Sequence, residues 1–246
     1  MDESKREKIK ACIAFMVVTL IVIITGIIIF KYQIEGETNM PFVLSKINIV
    51  SIAEGVENDN SEEKWNLNIN QNNDIYFTIS KNDNYKKQEK IKSVQIADIQ
   101  IIKKPNVGNI KIYMPNSSEG RLFKDGQNLI LEKNNLTYKG ALKTDTKKLE
   151  IGNQGGTIVI RFTNNELGSY VSNDDEEIKH DGTMLNKINV TNEDIKFTVS
   201  FDLIVNVNNI AYKTTIELEL PTGNILEKGT ESLEITDTQK YIFKRV

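Results

Sequence analysis

The feature that most constrains this chain is an uncharged run from Ala11 to Phe30, ACIAFMVVTLIVIITGIIIF. Twenty residues at a helical rise of about 1.5 Å reach roughly 30 Å, the depth of a bilayer's hydrocarbon layer. Thirteen of the 20 are Ile, Leu, Val or Phe, a content that favours membrane entry by about 4 to 8 kcal/mol. Thr19, Thr25 and Gly26 detract little, because a hydroxyl bonds back to its own helix. A buried core helix would keep a polar side for water, and this run has none. The expected element is a transmembrane helix over residues 11–31.

The flanks bear on cleavage and orientation. The apolar core exceeds the roughly 7–15 residues of a signal peptide, and no small-x-small site follows Ile27-Ile28-Ile29-Phe30-Lys31-Tyr32. Cys12 stands at its start, not after it where a lipoprotein cysteine would lie. An uncleaved signal-anchor is expected. Lys5, Arg6, Lys8 and Lys10 precede the run, whereas Lys31, Glu35 and Glu37 follow it. Basic flanks stay inside the cell. The expected layout is a cytoplasmic tail at 1–10, the helix at 11–31, a polar stalk at 32–41 and one extracytoplasmic domain at 42–246, placed at the cell membrane.

Composition narrows the compartment and the partners. The chain holds 27 Lys against 4 Arg, with 35 Ile and 28 Asn. That skew resembles AT-rich codon usage and suggests a low-GC bacterium. Residues 32–246 carry 26 basic and 31 acidic side chains, without the clustered Lys and Arg of a nucleic-acid footprint. No nucleic-acid partner is expected. Cys12 is the sole cysteine, so the exposed part has neither a disulfide nor a cysteine metal site and must rely on its core.

From Pro41 onward the apolar pattern has period two almost throughout, and no amphipathic run of helical spacing stands out. Strands are expected at 42–52, 64–70, 75–80, 91–102, 110–113, 129–131, 136–142 and 157–163. A turn at Gln71-Asn72-Asn73-Asp74 would join the second and third, because Asn and Asp tolerate positive φ. A phase slip near Ala97-Asp98 suggests a bulge. Thr157–Thr163 is apolar on both faces, as a central strand is. Asn164–Gly182 reads as a long polar connection, and Thr191-Asn192-Glu193-Asp194 as one helical turn.

The strongest local signal is a hairpin. Phe197, Val199, Phe201, Leu203, Val205 and Val207 alternate with neighbours that are polar except Ile204, and Ile210, Tyr212, Thr214, Ile216, Leu218 and Leu220 with neighbours that are polar except Ala211. Asn208-Asn209 between them suits a two-residue turn with φ > 0 at both positions. Folding there sets Val207 opposite Ile210, Val205 opposite Tyr212 and Phe201 opposite Ile216. Two final strands are expected at 233–235 and 241–246. The fold class that follows is all-β: an antiparallel β-sandwich, as one large body or as two immunoglobulin-like halves splitting near Lys143–Lys148, preceded by the single transmembrane helix.

Few residues suggest chemistry. The acidic stretch Asn173–Gly182 offers Asp174, Asp175, Glu177 and Asp181 as oxygen ligands for calcium, the one cofactor the sequence suggests, or as a docking patch for a cationic partner. Its spacing departs from the Asp-x-Asp-x-Asp-Gly loop, and a solvated acidic turn is the plainer reading. His180, the sole histidine, has no cysteine or Gly-x-Ser-x-Gly serine to activate. No catalytic residue is assigned. Glu217 and Glu219 share one face, as paired hydrolytic carboxylates would, but such charges usually just keep a face wet. Trp65, Tyr76, Tyr85 and Tyr170 could stack on sugars, although Trp65 alternates in phase with Leu67 and Ile69 and so reads as core. Leu220-Pro221-Thr222-Gly223 resembles a sortase signal but is one residue short.

These readings converge on a single-pass, membrane-anchored, non-enzymatic binding module of the cell envelope. Its expected partners are the bilayer through residues 11–31 and, outside, an envelope polysaccharide or another membrane protein. The competing expectation is a carbohydrate-active hydrolase working through paired carboxylates.

Overall fold

The computed structural model describes residues 3–57, 64–115, 123, 129–142, 149–173, 177, 179 and 183–246. The apolar run lies within helix α1, Glu3–Glu35, of 33 residues. The helix overruns 11–31 at both ends. Its terminal turns are rich in Glu and Lys, strong helix formers, with ion pairs Lys10–Glu7 and Lys31–Glu35 at helical spacing. Among the described residues α1 is the one helix long and apolar enough to cross a membrane.

Strands follow almost without interruption: β1 Phe42–Glu57, β2 Asn66–Lys81, β3 Ile91–Lys103, β4 Asn109–Met114, β5 Leu129–Ile130, β6 Leu136–Ala141, β7 Glu150–Gly152 and β8 Gly156–Val171. Two short helices, α2 Thr183–Lys187 and α3 Asn192–Ile195, lead into β9 Phe197–Val207 and β10 Ile210–Leu220. Helix α4, Ile225–Lys228, then precedes β11 Thr230–Ile235 and β12 Lys244–Arg245.

The strands build two six-stranded sheets, ordered β11-β1-β2-β8-β4-β5 in sheet 1 and β12-β10-β9-β3-β6-β7 in sheet 2. Every ladder is antiparallel except β6–β7. This is an antiparallel β-sandwich behind an N-terminal apolar helix. Each sheet takes strands from both sides of residues 143–148, so the two parts of the chain share one pair of sheets.

The β9–β10 ladder has the expected register, with Val207 opposite Ile210, Val205 opposite Tyr212 and Phe201 opposite Ile216. Positive φ occurs at Asn208 (54°) and not at Asn209, so the turn uses one left-handed residue rather than two. The slip in β3 is also present: the pairing shifts between Ala97 and Gln100, where Asp98 takes φ 50°. A capping box at Thr191 and Asp194 starts α3.

Two strands run through segments read as breaks. Gln71–Asp74 is the middle of β2, not a turn, and β8 continues eight residues past the expected end at Thr163, to Val171. The two segments support each other. Gln71 pairs with Asn164, Asn72 with Thr163, Asn73 with Phe162 and Asp74 with Arg161. Neighbours on both sides satisfy the backbone of a polar tetrapeptide that, read alone, favours a turn.

The inward side chains form two apolar clusters with a polar layer between them. The larger cluster includes Ile49, Ile75, Phe77, Phe162 and Phe201. The smaller includes Ala53, Ile69, Leu167, Leu185 and Ile195. Between them Ser51, Gln71, Asn73, Asn164 and Thr222 are all buried. Ser51 Oγ and Gln71 Nε2 both donate to Asn73 Oδ1, at 2.8 and 2.7 Å, while Asn73 Nδ2 donates to Phe162 O. The Thr222 N–H donates to Ser51 Oγ. Most of these buried groups bond one another, as buried polar atoms must, whereas Gln71 Oε1 and Asn164 Oδ1 have no hydrogen-bond partner.

The connection from helix to sandwich is not a free stalk. Glu37 N donates to Phe243 O at 2.7 Å, Arg245 N to Tyr32 Oη at 2.8 Å, and Lys244 Nζ to Gln33 Oε1. Arg245 also pairs with Glu37. Gly36 sits at φ 68°, and a Cβ there would lie 2.4 Å from Phe243 O. The last turn of α1 is thus held directly by residues 243–245.

Candidate functional site

The outer face of sheet 1 carries a dense array of polar side chains. Because side chains alternate along a strand, burying Leu67, Ile69, Gln71, Asn73 and Ile75 turns Asn66, Asn68, Asn70, Asn72, Asp74 and Tyr76 outward. The registers set Asn72 beside Thr163 and Asp74 beside Arg161 on β8. On the other side of β8, Tyr113 of β4 faces Arg161. On the other side of β2, Glu54 of β1 faces Asn70.

Together these side chains line a groove of about 250 Å³, formed by Glu54, Val56, Asn70, Asn72, Tyr113, Thr163 and Asn165. Asn72 is its hub: Nδ2 donates to Glu54 Oε2, and Oδ1 accepts from Thr163 Oγ1 at 2.7 Å. The Glu166 N–H donates to Asn70 Oδ1 at 3.1 Å. The Asn165 amide donates to Asn109 O and Thr163 O. The wall thus presents carboxylate, amide, hydroxyl and phenol groups, a set that both donates to and accepts from ligand hydroxyls.

Beside the groove lies a buried ion pair. Arg161 Nε and Nη2 donate to Asp74 Oδ1 and Oδ2, at 2.5 and 2.8 Å. Both residues are less than a tenth exposed. The Phe123 ring lies 4.3 Å from the guanidinium carbon. Burial alone would lower the Arg161 pKa, but hydrogen bonds to Asp74 and its charge outweigh burial and raise it. Burial, followed by the Asp74 charge, pushes the Tyr76 hydroxyl up to about 12. Further along β8, Tyr138 Oη donates to Val159 O at 2.5 Å, and burial raises its pKa.

The residues singled out from sequence are scattered. Asp174, Asp175, Asp181 and His180 lie outside the described residues, and Glu177 is exposed. Among the described residues no group of three His, Cys, Asp or Glu could hold a metal ion. Glu217 and Glu219 point outward on β10, with Glu219 3.9 Å from Lys196. Trp65 is not core: it stands just before β2, 48% exposed, exchanging hydrogen bonds with Ser172. Its phase with Leu67 is right, but it stands outside the strand, where the small cluster no longer covers it. Tyr76 lies mid-sheet, and Tyr85 lies near Asn82 at the helix end of the body, so the four aromatics form no shared platform. Thr222 of the sortase-like tetrapeptide is buried against Ser51.

Sequence reading missed the groove. Its one visible signal was the alternation Asn66, Asn68, Asn70, which continues in phase through Asn72, Asp74 and Tyr76. No protein-family model matches the chain, and no curated protein or solved structure is similar to it.

Proposed function

We infer that this protein is a single-pass membrane-anchored binding module of the cell envelope, with its basic N-terminal segment inside the cell and its sandwich outside. The ligand we assign to it is a hydroxyl-rich polymer, an envelope polysaccharide, held on the outer face of sheet 1. The observation that carries this reading is the groove itself, with Glu54, Asn70, Asn72, Tyr113, Thr163 and Asn165 converging on one hollow. Neutral amides with one carboxylate suit sugar hydroxyls better than an anion, which would want cations or helix N-termini. Binding is favoured over hydrolysis because Glu54 is the one carboxylate among the described residues that line the groove, and Asp74 beside it is engaged with Arg161. A two-carboxylate mechanism needs both groups available.

The reading has a direct test. Full-length protein in nanodiscs is passed over immobilised cell-wall polysaccharide, and retention is compared with that of E54Q and N72A variants. Loss of roughly tenfold in affinity for either variant is expected, the value of about one charge-assisted hydrogen bond. Unchanged retention of both, or no retention of the parent, removes the groove as the site.

A further inference from the structure

We propose that the end of the sandwich nearest α1, made by the 82–90 loop and the 240–246 segment, rests on the anionic lipid headgroups of the leaflet from which the helix emerges. This rests on the reading of α1 as membrane-spanning, and not on the polysaccharide.

The geometry leaves little room between body and bilayer. The apolar run ends at Phe30, and Tyr32 and Gln33 lie about 3 to 5 Å further along the axis. Those two residues already bond Arg245 and Lys244 of β12. The headgroup layer is roughly 5 to 8 Å deep on each side. With α1 crossing the bilayer, β12 therefore begins inside that layer, and no spacer lifts the body clear.

The loop 82–90 belongs to the same end. Asn82 N donates to Pro41 O and Asn82 Nδ2 to Met40 O, which fixes the loop beside the helix exit. Asn208 at the β9–β10 turn is bonded to Glu89. The side chains suit a lipid surface. Residues 81–92 hold five lysines against Asp83 and Glu89, and residues 236–246 hold Lys240, Lys244 and Arg245 against Asp237. Lys86, Lys87 and Lys90 are exposed. Tyr85 and Tyr241 are half-buried, and Ile242 and Val246 are exposed beside them. Tyrosines with lysines and scattered aliphatics are the composition of a membrane–water boundary.

Hydrogen exchange of the full chain tests this in two nanodiscs, phosphatidylcholine alone and phosphatidylcholine mixed with phosphatidylglycerol. Amides of 82–90 and 240–246 should exchange about fivefold slower in the anionic discs, the factor one lysine contact supplies. Amides of β9 and β10 should not change. The triple variant K86Q/K87Q/K90Q, or high salt, should erase the difference. Equal exchange in the two lipids, or a difference the triple variant keeps, overturns the proposal alone. A chain that stays out of the discs overturns the spanning reading together with it.

Discussion

Asp74 and Arg161 stand directly opposite each other on β2 and β8, and their side chains close a two-bond fork on the outer face of sheet 1. The pair ties the two central strands together at the point where β2 was expected to turn. Removing one partner leaves the other charged, buried and alone. D74N or R161M should therefore cost about 3 to 5 kcal/mol. The double replacement D74L/R161M should recover much of that loss. Urea unfolding of the detergent-solubilised chain reads both; equal losses for single and double variants would mean that shape, not charge, is what matters there.

Phe201 is the centre of the aromatic contacts, 5.5 Å from the Phe77 ring edge-on and 6.5 Å from the Phe162 ring stacked. It joins the two sheets across the larger cluster. F201A should cost about 3 to 5 kcal/mol. W65A, at an exposed end position, should cost no more than about 0.5 kcal/mol. The contrast, measured by the same unfolding curve, separates the core from the residue that only looked like it.

Acid should weaken the body through Asp202. Burial by itself raises this carboxyl, but the Thr215 hydroxyl at 2.6 Å and the Lys213 ammonium at 3.0 Å outweigh it and hold the pKa below the usual value. The unfolded chain then binds the proton more readily than the folded one. The contribution is whole above the ordinary carboxylate value of about 4 and fades as pH falls toward the folded value. The stability gap between the parent and D202N should be flat from about pH 7 to 5 and shrink below about 4. A gap that does not narrow on acidification would place the titrating group elsewhere.

Gly36 is the position at which a single methyl group should loosen the join between helix and body. Its φ of 68° disfavours any side chain, and Phe243 O blocks the space a Cβ would need. G36A should raise amide exchange in 241–246 while leaving that of β9 and β10 as it was. If exchange at 241–246 is unaltered, the contact seen between Glu37 and Phe243 is not what secures the segment.

How legible each part was depended on how far apart its interacting residues lie in the chain. The β9–β10 hairpin could be read to the residue, because its pattern and its turn lie within one 24-residue window. The helix was as plain, since an uncharged run long enough to cross a membrane is itself the whole signal. β2 was divided because Asn72, Asn73 and Asp74 are strong turn formers when taken alone. What makes them strand residues is Thr163, Phe162 and Arg161, some 90 positions later. The groove was hidden for the same reason. Its walls come from β1, β2, β4 and β8, and no local window holds more than two of its residues near each other. Trp65 misled in the other direction: phase was correct, but phase does not say where a strand starts to be covered.

The fastening of α1 by residues 243–245 also fixes an order of events. The ribosome delivers that clasp after every other strand described, and β11, which flanks β1, comes nearly as late. Until then β1 has one neighbour fewer, and the body is free to swing about the end of the helix. Pairings that span most of the chain form slowly, so the nascent sandwich gains its bearing relative to α1 only after residues 243–245 have been made. A stall or nick before residue 241 would leave a body assembled from its central strands but facing no particular way.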